Sequence, residues 1–206
     1  MFKEFLFPLV KYFTPFNIFQ YITFRAAYAA ITSLLIAFIF GPRIILWLKK
    51  LKAGQEIRTD GPKTHLAKAG TPTMGGVMIL LSIIISILLW QDVRNKYTWI
   101  MLFSTLGFGA VGFVDDILKI YRKNSAGIPA RVKLLGQIIV ATGVALYLYV
   151  NKNPFTTYLY IPMFKEPVLN MGWGWVPFAV LLQVGFSNAV NLTDGLDGLA
   201  SGLVIM

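Results

Sequence analysis

The chain predicts an all-α polytopic membrane protein, and three observations carry that prediction. Its 206 residues are 56% hydrophobic with a mean hydropathy of +0.66, outside the range of an ordinary soluble domain. Several apolar segments approach the roughly 20 residues a helix needs to cross a bilayer. The polar stretches between them alternate between rich and poor in Lys and Arg, as the loops of a multi-pass protein do.

Five spans are expected, at residues 21–48, 73–90, 99–114, 134–150 and 175–190. Arg25 lies near the start of the first and Arg43 near its end. A sixth begins at Gly198, with nine residues to Met206, too few to cross. Residues 1–206 therefore read as a single integral membrane domain truncated at its C-terminus. The opening "MFKEFLFPLVKYF" carries Glu4 and Pro8 and lacks a small-residue cleavage site. It is expected to be an interfacial aromatic segment and not a removed signal peptide. The stretch 49–71 is punctuated by Gly54, Gly61–Pro62 and Gly70, as a structured loop or lid would be. In residues 151–174, "PFTTYLYIPMF" alternates aromatics with Thr, Leu and Ile, which predicts a short interfacial hairpin. Trp173 and Trp175 suit a membrane boundary. Cysteine is absent, which excludes disulfides and a thiol nucleophile. No convincing repeat of 20–50 residues suggests a solenoid.

The net charge of +10 would suit a nucleic acid polymer, but its distribution argues against one. Lys49, Lys50, Lys52, Arg58, Lys63 and Lys68 fall between spans one and two, and a second basic group from Lys119 to Lys133 falls between spans three and four. The alternate loops hold only Arg94 and Lys96, and Lys152 and Lys165. Short basic loops stay in the cytoplasm, which puts the N-terminus outside. The same charge suits the anionic headgroups of membrane lipid.

Placing the nine acids on this topology locates a site. Glu4, Asp92 and Glu166 fall outside, and Glu56 and Asp60 in the first cytoplasmic loop. Asp115, Asp116, Asp194 and Asp197 all fall at the cytoplasmic ends of spans three and five. "GFVDDILK" sets Asp115 and Asp116 side by side at the end of an apolar helix. Adjacent carboxylates in a partly desolvated place cannot both ionise cheaply unless a cation is present. A divalent ion removes that cost, and Mg2+ characteristically takes one or two carboxylates plus substrate phosphates. The plainer alternative is a solvated helix end facing Lys119 and Arg122.

Asn188, Asn191, Asp194 and Asp197 recur at intervals of three, so on a helix or tighter turn they point broadly one way. Such a stripe suits a sugar, a nucleotide or a hydrated metal, and a polar stripe at a membrane boundary is a functional-site candidate. Gly195, Gly198 and Gly202 leave room for backbone or ligand. In "GPKTHLAKAGTPTMGG", Lys63 and Lys68 offer charge, Thr71 and Thr73 hydroxyls, and Gly75–Gly76 bare backbone at the start of span two. These features suit phosphate at a helix N-terminus. His65 is the one histidine, so a histidine-based metal site cannot be built from these residues, and a surface loop is its simpler role. The Gly107, Gly109, Gly112 pattern lies inside a span and reads as helix packing, not a dinucleotide loop.

An ion-coupled transporter would place its acids near the midplane. Acids gathered at one interface beside basic loops favour an enzyme joining a phosphorylated soluble substrate to a lipid. In order along nearly the whole chain, "TPTMGG", "GFVDDILK" and "NAVNLTDGLDGLA" closely resemble the phospho-N-acetylmuramoyl-pentapeptide-transferase family. That family belongs to the polyprenyl-phosphate N-acetylhexosamine-1-phosphate transferase superfamily. The resemblance implies transfer of phospho-MurNAc-pentapeptide from UDP-MurNAc-pentapeptide to undecaprenyl phosphate, giving lipid I and UMP, an early step of peptidoglycan synthesis. It implies Mg2+ and a cytoplasmic-facing cleft in the bacterial inner membrane. Oligomeric state, including a homodimer, is left open. The related GlcNAc-1-phosphate transferases are the runner-up.

Residue by residue, the resemblance makes Asp115 and Asp116 the catalytic pair. It places Asn191, Asp194 and Asp197 in the nucleotide and metal region, with Gly195 and Leu196 beside the uracil. Lys68 and Thr73 fall in the loop that meets the nucleotide, and Lys119 and Lys133 among basic residues lining the cleft. The family continues through further spans, with another metal-binding aspartate and a histidine-rich loop, so residues 1–206 alone are expected to be an incomplete enzyme. A phosphate monoester has its second pKa near 6, so the lipid acceptor is mostly a dianion at neutral pH and gains little from a general base. Metal and phosphate positioning is therefore the preferred role for the four acids, and an aspartyl-phosphate intermediate is left open.

Overall fold

The structure is a computed structural model, and it describes residues 2–50, 74–122, 127–151, 153, 156–193 and 202. These fall into two compact units, Met1–Pro129 and Ala130–Met206.

In the first unit, α1 (Phe2–Leu6) and two 3-10 turns, Phe7–Lys11 and Thr14–Gln20, lead into α2 (Ile22–Lys50). The prolines at the first positions of both turns cost nothing there, because those N–H groups have no partner within the turn. The expected interfacial segment is thus helical, and it is tied down at several points. Phe2, Phe19, Phe24 and Tyr28 surround Trp90, whose indole N–H donates to Thr32 Oγ1 at 2.9 Å. Lys3 pairs with Asp92 at 2.7 Å and Glu4 with Arg94 at 3.0 Å.

Helix α3 (Gly76–Trp90) packs on α2, where Gly41 lets Met78 approach, and on α4 (Lys96–Arg122), where Gly109 lies under Leu80. A Cβ at Gly109 would come within 2.6 Å of the Leu80 side chain, which bears out helix packing as the role of that glycine. Ser82, buried on α3, returns its hydroxyl to the carbonyls of Met78 and Ile79, as a hydroxyl in an apolar setting must.

The second unit holds α5 (Ala130–Val150), a two-stranded hairpin, a 3-10 turn at Gly172–Gly174 and α6 (Trp175–Thr193). Helices α5 and α6 pack together, with Ala141, Ala145, Val144, Val176 and Val184 buried. In the hairpin, β1 (Tyr158–Leu159) pairs antiparallel with β2 (Leu169–Asn170), Tyr158 opposite Asn170. A hairpin was expected here, although its second strand lies beyond the aromatic stretch that suggested it.

Among the described residues four helices are long and apolar enough to cross a membrane: Ile22–Lys50, Lys96–Arg122, Ala130–Val150 and Gly172–Thr193. The protein is accordingly a predominantly helical, multi-pass membrane protein. The expected span at 73–90 corresponds to α3, whose 15 described residues reach about 22 Å at 1.5 Å per residue. Just before α3, Met74 has a left-handed φ of 72°. Of the expected sixth span, only Gly202 falls among the described residues.

Candidate functional site

Helix α4 carries the acids of the first unit. Asn95 caps its start, accepting from the Tyr97 N–H at 3.0 Å, and the Thr98 hydroxyl donates to the Asp92 carbonyl at 2.9 Å. From Lys96 to Asp115 the helix rises about 28 Å, close to the thickness of a hydrocarbon core, about 30 Å. The Asp115–Asp116 pair therefore lies about one such thickness along α4 from its start. The expected span ended at Val114 with the carboxylates at the helix end. The helix instead continues to Arg122 and places them inside it. Its last turns are polar, with Lys119 and Arg122 near the C-terminus, where cations suit the helix dipole.

Successive residues on a helix point about 100° apart, and the two carboxylates differ accordingly. The Asp115 side chain is only 11% exposed, whereas the Asp116 side chain is 35% exposed. Lys119, three and four residues on, reaches both: its Nζ lies 2.7 Å from Asp115 Oδ2 and 3.4 Å from Asp116 Oδ1. This ammonium is the cation that two adjacent carboxylates require. The chain then returns to the pair beyond α4. The Ile128 N–H donates to Asp115 Oδ1 at 2.8 Å, and the buried Gly127, at φ 55°, lies against Asp115 and Lys119.

In the second unit, Asn188 and Asn191 lie one turn apart on α6. Asn188 is half-buried and holds the helix pair together. Its Nδ2 donates to Gln137 Oε1 of α5 at 2.7 Å and to the Val184 carbonyl at 2.8 Å. Gln137, 4% exposed, donates in turn to Ser187 Oγ at 3.4 Å. Asn191 is exposed. Lys133 is half-buried in the first turn of α5.

Lys68, Thr73, Asp194, Gly195, Leu196 and Asp197 lie outside the described residues, as do Lys63, His65 and Thr71. At the start of α3, Gly75 makes no side-chain cap bond, consistent with the bare helix start expected of Gly75–Gly76.

Among the described residues no three His, Cys, Asp or Glu gather as a metal cage. Asp115 and Asp116 are nevertheless a fit for Mg2+, a hard cation satisfied by one or two carboxylates when phosphates and water supply the other oxygens. Sequence reading missed Gly127, Ile128 and Gln137. The available signals were a Gly-Ile-Pro turn signature and a lone glutamine in an apolar run.

Residues 98–206, more than half of the chain, match glycosyl transferase family 4, and residues 68–80 match phospho-N-acetylmuramoyl-pentapeptide-transferase signature 1. A phospho-N-acetylmuramoyl-pentapeptide-transferase of Thermodesulfovibrio yellowstonii is 53% identical over 99% of this chain and 57% of its own length. Proteins of the same name from Geobacter sp. (strain M21) and Desulfovibrio desulfuricans are 49% and 51% identical over 99% and 98% of this chain, and 57% and 56% of their own lengths. The chain thus spans a little over half the length of these curated relatives. On the family match, this chain belongs to glycosyl transferase family 4.

Proposed function

We propose that the full-length protein transfers phospho-MurNAc-pentapeptide from UDP-MurNAc-pentapeptide to undecaprenyl phosphate, giving lipid I and UMP. The observation that carries this reading is the near-complete coverage of the chain by phospho-N-acetylmuramoyl-pentapeptide-transferases at about 50% identity, joined by the signature at residues 68–80. The carboxylate pair beside Lys119 supports it chemically. In this reading Asp115 and Asp116 hold Mg2+, which supplies charge neutralisation for the transferring phosphates. The half-exposed Asp116 faces incoming groups, while Asp115 is held in place by Lys119 and the Ile128 N–H. Lys119 offers an ammonium to phosphate oxygens, with Lys133, Lys68 and Thr73 as further phosphate or nucleotide contacts. Asn188 and Asn191, with Asp194, Asp197, Gly195 and Leu196 beyond them, take part in nucleotide, sugar and metal binding.

The topology belongs to the same proposal. The basic stretches lie in the cytoplasm of a bacterium, the Asp115 end of α4 faces that side, and α3 is a fifth, short span. In the full-length protein, UMP release should require UDP-MurNAc-pentapeptide, undecaprenyl phosphate and Mg2+ together, and should stop with a chelator. Release from UDP-GlcNAc at a comparable rate, with none from UDP-MurNAc-pentapeptide, would move the assignment to the GlcNAc-1-phosphate transferases.

A further inference from the structure

The loop that returns to Asp115 makes a contact that the reading above does not use. Asp115 Oδ2 faces the Lys119 ammonium, and Asp115 Oδ1 accepts the Ile128 N–H at 2.8 Å. Two donors on the two oxygens of one carboxylate fix both its position and the rotation of its plane. Ile128 reaches that place because Gly127 turns left-handed at φ 55°, a conformation that residues with a side chain rarely adopt. Gly127 has a second constraint, independent of φ. A Cβ there would overlap Asp115 Oδ1 and come within 2.9 Å of Lys119 Cε and 3.1 Å of the Asp115 carboxyl carbon. The glycine is therefore required by contact as well as by conformation, and the atoms it would disturb are those of the carboxylate pair and its cation.

We propose that Gly127 and the Ile128 N–H are a positioning element for the reaction, holding the Asp115 carboxylate at a fixed angle beside Asp116 and Lys119. The role rests on the transfer reaction proposed above and deepens it. The turn touches no substrate, and it acts through Asp115. Phosphoryl transfer depends on aligned groups, and a displacement of about 1 Å in such a site costs on the order of a hundredfold in rate. A Cβ at position 127 forces a displacement of that kind on Asp115 or on Lys119.

The test uses the full-length enzyme in detergent, with rates normalised to sites titrated by UDP-MurNAc-pentapeptide. Gly127→Ala should lower kcat at least about tenfold while KM for UDP-MurNAc-pentapeptide stays within about twofold, the pattern of an interaction realised in the transition state. Gly127→Asn tolerates the left-handed backbone but keeps the overlap, so its kcat should fall as far. Near wild-type kcat in either variant would overturn the proposal. A second measurement does not depend on turnover. Gly127→Ala should lower Tm less in an Asp115→Ala background than in the wild type, because the overlapping carboxylate is gone. Equal decrements in the two backgrounds would show that the side chains do not meet and would also overturn it. If the wild-type enzyme releases no UMP, the transfer reading fails and the positioning role falls with it, while the Tm cycle still reports whether the contact exists.

Discussion

In the Met1–Pro129 unit the buried polar cluster is charged, with Asp115 and Asp116 against Lys119, whereas in the Ala130–Met206 unit it is neutral, with Gln137, Ser187 and Asn188. The neutral cluster spends both of its polar links between α5 and α6 on holding the helices together, much as amides and hydroxyls act between helices in a bilayer. The charged cluster is different in kind. One ammonium meets both carboxylates, and the more exposed member is Asp116, whose side chain is 35% exposed. A neutral cluster that satisfies itself stabilises. A charged one depends on Lys119 and the Ile128 N–H to keep its carboxylates in place.

That contrast can be broken most directly at the carboxylates. Asp115→Asn and Asp116→Asn in the full-length enzyme should each lower kcat by about a hundredfold or more, with expression close to wild type. An amide keeps the volume but holds a cation poorly. Turnover of UDP-MurNAc-pentapeptide near the wild-type rate in both variants would make the pair structural and remove the distinction between the two units.

Lys119→Met sharpens the comparison from the other side. Methionine keeps the length of the side chain and deletes the charge, leaving the buried Asp115 without its ammonium. The loss should be about 1–3 kcal/mol, read as a lowered Tm, and high Mg2+ should recover part of it by supplying another cation. A Tm unchanged from wild type would mean that the pair is solvated and needs no compensation.

Gln137→Leu should do less. Interhelical hydrogen bonds in membranes average about 0.6 kcal/mol and reach about 1.7, so Tm should fall modestly and without any dependence on Mg2+. A loss as large as that of Lys119→Met would place the two clusters on an equal footing.

The smallest effect is expected at the far end of α4. Lys3, with help from the Arg94 N–H, holds the Asp92 carboxyl below its ordinary value of 3.8. A depressed carboxyl contributes stability above 3.8 and loses it as the pH falls through the lower folded value. Because the Lys3 and Asp92 side chains are 34% and 27% exposed, the contribution should be only about 0.2–1 kcal/mol. Asp92→Asn should therefore lower Tm slightly at pH 7 and make no difference in strong acid. A difference that persists well below pH 3 would rule out the ion pair as its source.

The apolar runs were read well because a bilayer imposes a length and a composition on anything that crosses it. The starts and stops in the sequence fall within a few residues of most helices, and the Phe/Tyr alternation signalled the hairpin. The errors have identifiable causes. Hydropathy ends α4 at Val114, yet backbone hydrogen bonding carries the helix on through "DDILKIYR" to Arg122, because a helix does not stop where its side chains become polar. Hydropathy also starts the second span at Thr73, and among the described residues its helix begins at Gly76. Nor can spacing show that Gln137, fifty-one residues away, accepts the Asn188 amide hydrogen.

By itself the sequence determined that this is a multi-pass helical membrane protein, since apolar length and loop charge are local properties. It also determined the family, because the acidic motifs stand in order along the chain. Only the tertiary structure decided how the two carboxylates differ in burial, and that the Ile128 N–H, brought round by Gly127, meets Asp115 from the other side. Helix rotation, packing and one left-handed turn set those contacts, and no pattern of residue types specifies that the Ile128 N–H, thirteen residues on, meets Asp115.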